Sequence, residues 1–232
     1  MPESWSARLY ITLIALAGTG TLAVGIAHPV FGNPARFAAL LAVAVITSRL
    51  KVKLPGMKAN MSVSLPFLLL ASAQLRLLPT LVIALAATIA QSVTQQMSSA
   101  KLVQMLFNVS TVLVAITCAF GIQHRAGIVG HGVVRVLLGA AAYLLINTAL
   151  ISGIVCLTSA QRIGQTWTGI FALTYLYFAL SAGIAAVVVG FGIQWSVMML
   201  TLIVVYGAYR SFQLYFVTMS ASLAPQTASA GD

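Results

Sequence analysis

The chain has 232 residues, of which 60% are hydrophobic and only 6% are charged, and its formal net charge is +10. Its only carboxylate side chains are Glu3 and Asp232, one beside each terminus. So few charges cannot cover the surface of a soluble globular protein, and the lack of carboxylates excludes most enzyme chemistries that use Asp or Glu. The composition therefore predicts a polytopic membrane protein without enzymatic activity.

Eight apolar runs divide the chain into candidate membrane segments. A transmembrane helix needs roughly 20 largely apolar residues to cross the hydrocarbon layer. The runs cover about Leu9–Ile26, Pro34–Leu50, Ser62–Leu75, a stretch after Pro79 that ends near Val93, Leu102–Ile122, Val133–Leu157, Ile170–Ile193 and Val197–Val217. They predict an all-α bundle of six to eight transmembrane helices in a single membrane domain, residues 1–219, followed by a disordered polar tail, residues 220–232. The length of the first run favours a retained anchor over a cleaved signal peptide.

The third and fourth runs are short, and each carries a proline, Pro66 or Pro79. One interpretation is a pair of ordinary tilted helices whose prolines lie in their first turns. The other is a broken or re-entrant pair around residues 62–93, which membranes tolerate where the freed backbone faces protein or a water-filled cavity. The sequence leaves both interpretations open.

The cations indicate how the bundle is oriented. With eight spans, eight cations fall on one side of the membrane and four on the other. The first group is Arg8, Arg49, Lys51, Lys53, Lys58, Lys101, Arg162 and Arg210, and the second is Arg36, Arg76, Arg125 and Arg135. Because cytoplasmic loops carry the excess of Lys and Arg, we expect a multi-pass protein of the bacterial inner membrane with both termini in the cytoplasm. Cations scattered through short loops favour contact with lipid headgroups over nucleic acid, which requires a clustered basic face.

Amides and hydroxyls are the polar groups that enter the predicted segments, and they recur at helical spacing. The groups that share a face are Thr88, Gln91 and Gln95; Gln104, Asn108 and Thr111; and Tyr143 with Asn147. Such side chains must find partners in hydrocarbon, either in hydrogen bonds between helices that stabilise the packing or in a polar cavity for a small ligand. The candidate ligand-binding residues are Gln91, Gln95, Gln104, Asn108, Tyr143 and Asn147.

No catalytic residue, metal site or cofactor is predicted. The histidines, His28, His124 and His131, would have to converge on a metal without help from a carboxylate or a thiolate. The chain has no GxSxG-type turn for serine hydrolysis. It also lacks an Asp, Glu or His in the middle of a predicted segment, where proton-coupled carriers place one. We therefore expect binding or packing, and not catalysis.

Four short stretches carry a resemblance to a known family. They are Leu50–Gly56 (LKVKLPG), Met61–Phe67 (MSVSLPF), Gln104–Val109 (QMLFNV) and Tyr209–Tyr215 (YRSFQLY). Together they resemble the bacterial multi-helix membrane sensor module that lies N-terminal to GGDEF, HD-GYP or histidine-kinase output domains. The resemblance implies a sensor-like, ligand-binding membrane module. Because no such output domain occurs in these 232 residues, it implies either a stand-alone module or one that relays to a separate partner.

Two alternative functions stay open beside the sensor. The basic stretch with Pro55-Gly56, followed by a short polar-apolar helix, is loosely similar to the substrate-binding membrane subunits of energy-coupling-factor vitamin transporters. That similarity implies a component of a small-molecule transporter. The other alternative is a structural membrane protein with no ligand. The expected partners are membrane lipid, a small-molecule or lipophilic ligand, and a cytoplasmic or membrane partner protein, with no nucleic acid.

Overall fold

The computed structural model describes residues 5–30, 32–53, 60–93, 99–125, 132–159 and 162–192. These residues form seven helices and one two-stranded sheet, which confirms the predicted all-α bundle. The helices are α1 (Trp5–Ala27), α2 (Pro34–Ser48), α3 (Leu65–Gln74), α4 (Leu77–Ser92), α5 (Ser99–Gln123), α6 (Gly132–Ser159) and α7 (Ile163–Gly190), and the strands are β1 (Lys51–Lys53) and β2 (Asn60–Ser62). The predicted eighth segment, Val197–Val217, and the predicted tail lie outside the described residues.

The chain divides into two compact units. The first comprises Met1–Lys51 and Ser62–Gly192 and contains all seven of the described helices. The second comprises Val52–Met61 and Ile193–Asp232. Its described residues belong to the two strands on either side of the predicted Pro55-Gly56 turn, which itself lies outside the described residues. The helical packing and the candidate site both lie within the first unit.

Three of the described helices, α1, α5 and α6, are long and apolar enough to cross a membrane. α7 makes a fourth if its two arms, Ile163–Ala172 and Thr174–Gly190, which meet at an angle of 48°, count as one span. The Thr174 hydroxyl donates to the Ile170 carbonyl 2.8 Å away, and such bonding to the preceding turn is a common cause of bent helices. These lengths and compositions are those of a membrane protein.

α1 carries its small residues on the inside of the bundle and its large apolar residues on the outside. Its buried residues are Ala7, Gly18 and Gly25, whereas Leu13 and Leu16 are 55% and 62% exposed. This distribution would be unfavourable in water. In a bilayer, lipid chains cover the leucines while small residues let neighbouring helices approach closely. The residue distribution of α1 therefore suits packing within a membrane.

α1 and α5 run in the same direction. The rings of Tyr10 and Phe107 lie 6.3 Å apart, and further along both helices Gly18 lies against Ser110. A Cβ atom added to Gly18 would lie 2.7 Å from the Ser110 Cα, so the approach requires glycine. The two helices therefore begin at the same end of the bundle, which is named the Arg8 end.

α6 runs opposite to α5, and α7 reverses the direction again. Near its start, α6 places Gly139 against the Gln123 side chain at the end of α5. Gly190, the last residue of α7, lies against Val133 at the start of α6. The end of the bundle opposite the Arg8 end is therefore marked by Gln123 and is named the Gln123 end. Which end faces the cytoplasm stays a prediction.

α3 is the central helix of the bundle although it has only 10 residues. It contacts α2, α4, α5, α6 and α7, and its side chains Phe67, Leu70 and Ser72 are at most 1% exposed. Ten residues rise about 15 Å, half of a typical hydrocarbon layer, so α3 cannot be an ordinary span. α4 begins after only Leu75 and Arg76. The structure therefore favours a broken pair over two ordinary tilted helices.

Replacing Gly18 with alanine should destabilise the protein. The added methyl group would push α1 away from the Ser110 backbone, at a cost of about 1–3 kcal/mol. The matched control is Gly20→Ala on the same helix, because a Cβ atom at Gly20 would meet nothing within 4 Å and alanine is the better helix former. Equilibrium unfolding in mixed detergent micelles measures both variants. Equal free energies of unfolding for the two would contradict the close contact between α1 and α5.

Candidate functional site

The predicted ligand-binding residues are spread over three helices. Gln91 on α4, Asn108 on α5 and Asn147 on α6 are half-buried, Gln104 on α5 is exposed, Tyr143 on α6 is buried, and Gln95 lies outside the described residues. The Tyr143 ring packs against Phe178 of α7, with 5.8 Å between ring centroids. The structure shows no hydrogen bond between any two of the five described side chains. A cavity lined by these three helices together stays a prediction.

Many buried hydroxyl groups of the bundle already bond to their own helices. The hydroxyls that donate to a carbonyl four residues earlier include Thr47, Thr88, Thr148, Ser152, Thr174 and Ser181. This bonding satisfies a hydroxyl in hydrocarbon without any ligand. Thr88, which shares a predicted polar face with Gln91, belongs to this set. For these hydroxyls the geometry favours packing over ligand binding.

α3 begins at the depth of the middle of α7. Tyr177 lies midway along α7, and its hydroxyl hydrogen-bonds with the backbone of Leu65, the first residue of α3. Because the first N–H groups of a helix have no partner within the helix, the Leu65 N–H is the donor. Pro66 has no N–H, and the N–H groups of the next two residues donate to the Ser64 carbonyl at 3.1 and 3.2 Å. Each N–H group of this first turn is thus accounted for.

The other end of α3 is stabilised by α4 and α5. The Ala71 carbonyl accepts from the Leu75 N–H at 2.9 Å, and the Thr80 hydroxyl of α4 lies 3.0 Å from the same carbonyl. The Ser72 Oγ lies 2.9 Å from the Gln123 Oε1 on α5. Ser72 and Gln123 are both buried. Polar groups from neighbouring helices therefore surround the end of a helix that is too short to reach both membrane surfaces.

Gln123 is the one buried amide in the helices α1 to α7, and Gly139 makes room for it. A Cβ atom on Gly139 would lie 2.5 Å from the Gln123 Nε2. The Ser72 hydroxyl also lies 2.8 Å from the Leu69 carbonyl, and a hydroxyl has only one proton to donate. Both contacts are satisfied if Ser72 donates to Leu69 while the Gln123 NH₂ group donates to Ser72, with the amide oxygen toward Gly139. In this orientation Gln123 links α3, α5 and α6.

A groove of about 570 Å³ lies between α1 and α5 near the Arg8 end. Its lining residues are Arg8, Ile11, Thr12 and Ala15 on α1 and Ala100, Val103 and Leu106 on α5. Two of the lining residues are polar, Thr12 and Arg8. The Thr12 hydroxyl already donates to the Arg8 carbonyl at 3.0 Å. The Arg8 guanidinium is therefore the charged donor of the groove, and the other lining side chains are apolar. The groove can hold an apolar chain against its wall and an anion near Arg8. None of the five predicted ligand-binding residues that the structure describes lines it.

Sequence reasoning identifies neither Gln123 nor the groove. The available signal for Gln123 is its spacing, because it follows Ile116 and Ala119 on one helical face, and both of those residues are 0% exposed. Arg8 has no comparable signal. A groove between two helices that are distant in sequence leaves no periodic pattern in either of them.

Replacing Tyr177 with phenylalanine should lower the free energy of unfolding by about 1–3 kcal/mol, the cost of leaving a buried N–H unsatisfied. The ring contact of Tyr177 with Phe178, at 5.6 Å between centroids, would be kept. Tyr175→Phe is the matched control, because Tyr175 lies on the same helix and is 54% exposed. Both variants can be compared by equilibrium unfolding in detergent micelles. A Tyr177→Phe protein as stable as the Tyr175→Phe protein would show that Leu65 does not depend on this hydroxyl.

A scan against protein-family models and searches of curated proteins and of solved structures found no match to this chain. The resemblances to sensor modules and to transporter subunits therefore stay predictions. Any assignment of function depends on the geometry of the described residues and on the composition of the chain.

Proposed function

We propose that the chain is a sensor-type membrane module that takes up a lipophilic ligand in the α1–α5 groove and relays its occupancy to a separate signalling partner. The observation that carries the proposal is the groove itself, which combines about 570 Å³ of space, an apolar wall and one cation. Several of its lining residues, including Arg8, Thr12 and Leu106, are exposed. A ligand dissolved in the bilayer can reach the groove from the side, without entering the packed centre around α3.

The groove lies beside the contact that sets the distance between α1 and α5. Ala15 lines the groove, and Gly18, one turn further along α1, lies against Ser110. A ligand held between the two helices acts on their separation next to this contact. It shifts the equilibrium between two helix arrangements by the difference in its affinity for them. This displacement is the signal that we propose the partner detects.

A non-enzymatic role and an inner-membrane location belong to the same proposal. The absence of carboxylates between Glu3 and Asp232 supports the first, because general acid–base chemistry relies heavily on such groups. The predicted excess of eight cations over four on the Arg8 side supports a cytoplasmic Arg8 end with both termini inside.

The second candidate is a substrate-binding component of a small-molecule transporter. The position of α3 in the bundle favours it. Helices that begin within the membrane are typical of transporter binding sites, and α3 begins beside the middle of α7. Against this candidate, the N–H groups in the first turn of α3 already bond to Tyr177 and to the Ser64 carbonyl, so they are not left for a substrate. Copurification of a coupling ATPase would favour transport over sensing.

Ala15→Phe tests the proposed function by filling the groove. The probe is a neutral fatty alcohol that carries a photoreactive diazirine, and the labelled peptides are mapped by mass spectrometry. Labelling of α1 and α5 should fall roughly tenfold, because excluding two methylene groups of the probe costs about that much affinity.

Ala17→Phe is the control, because Ala17 is exposed on the same helix and does not line the groove. Its labelling should match that of the native protein. Unchanged labelling of Ala15→Phe, or an equal loss in both variants, would contradict a ligand site between α1 and α5.

A further inference from the structure

We infer that the ligand of the α1–α5 groove is an anionic phospholipid, whose phosphate binds the Arg8 guanidinium and whose acyl chain lies along the apolar wall. The inference rests on the proposed function, because it names the chemical class of the ligand for the same groove. It depends on three properties of the chain: its charge balance, the order of polar and apolar residues along α1, and its own net charge.

The charge balance requires anions from outside the chain. The chain has twelve Lys and Arg side chains and two carboxylate side chains, so at least ten of its cations have no acidic side chain to pair with. Neither carboxylate, Glu3 nor Asp232, belongs to the described residues, and none of the helices α1 to α7 contains one. A phosphate group matches the need of Arg8, because it accepts two parallel hydrogen bonds from one guanidinium.

The groove has the same order of polarity as a phospholipid. Arg8 lies about one turn after Trp5, which is 77% exposed and belongs to a residue type that favours the membrane interface. Ile11 and Ala15 follow along α1, and Ala15 lies about 10 Å beyond Arg8 along the helix axis. An anionic head beside Arg8 and a chain that extends along Ile11 and Ala15 match this order. Free phosphate would leave the apolar wall uncovered.

The net charge of the chain opposes a second copy as the ligand. Another copy would bring a further formal charge of +10 to a site that already presents a cation. A zwitterionic lipid such as phosphatidylcholine also brings a phosphate, but its quaternary ammonium offsets that negative charge beside the guanidinium. An anionic phospholipid satisfies both parts of the site.

Native mass spectrometry tests this inference. The full chain, purified in mild detergent, is titrated with phosphatidylglycerol or with phosphatidylcholine of the same acyl chains. The native protein should bind phosphatidylglycerol about fivefold more tightly, the ratio expected for one cation next to an anionic headgroup. Arg8→Gln should abolish the preference, and Arg8→Lys, which keeps the charge, should retain most of it.

Arg162→Gln is the matched control, because Arg162 is an exposed cation just before the start of α7, at the Arg8 end, and does not line the groove. It should keep the preference of the native protein. The inference is overturned if Arg8→Gln keeps the preference. It is equally overturned if Arg162→Gln loses as much of the preference as Arg8→Gln, since general surface charge would then explain the binding.

Failure of the proposed function gives a different result. In that case Ala15→Phe leaves photolabelling by the neutral fatty alcohol unchanged, and the inference fails with it. If Ala15→Phe blocks labelling while Arg8→Gln keeps the lipid preference, the groove binds apolar chains and only the anionic headgroup is wrong. Melting temperatures of the variants control for folding, and because Arg8 is exposed, Arg8→Gln should leave the melting temperature unchanged.

Discussion

The arrangement of the bundle depends on one constraint, which is that α3 begins and ends among other helices. The ends of a helix leave N–H and C=O groups without partners, and each such group costs several kcal/mol in hydrocarbon. Tyr177 and the Ser64 carbonyl satisfy the first turn of α3, and Pro66 removes one donor from it. At the other end, Thr80 of α4 donates to the Ala71 carbonyl, and Gln123 of α5 bonds to the Ser72 side chain. Because these partners come from three different helices, the depth of α3 restricts the positions of all of them.

A packed centre moves the available binding space to the outside of the bundle. Phe67 and Leu70 are 0% and 1% exposed, and the hydroxyls that bond to their own helices are not left for a ligand inside. Between α1 and α5, in contrast, the close approach at Gly18 has a groove beside it. A membrane ligand needs no path through the protein to reach such a groove. Under the proposed function, a ligand at this position acts on the spacing of two long helices.

Much of the helical framework can be predicted from the sequence, because apolar length is a local property. The predicted run Val133–Leu157 differs by only one or two residues at each end from α6, Gly132–Ser159. The start of α7 is an exception, since the apolar run begins at Ile170 and the helix begins at Ile163. Thr166 and Thr168 lower the hydropathy of that first arm, but their hydroxyls donate to carbonyls of the preceding turn. Polar residues that bond to their own helix do not interrupt it. They do lower the local hydropathy, so an apolar run in the sequence begins later than the helix does.

The sequence by itself determined that this is a helical membrane chain, that its cations lack acidic partners, and that its membrane-embedded polar groups are amides and hydroxyls. It also identified helical faces, but it did not determine which face turns inward. Gln104 and Gln123 are both amides of α5, yet Gln104 is exposed and Gln123 is buried against Ser72 and Gly139. Only the tertiary structure decided this difference, the central depth of α3 and the groove beside Arg8. The physical reason is that burial depends on the rotation and depth of each helix against its neighbours, which the periodicity of a single segment does not encode.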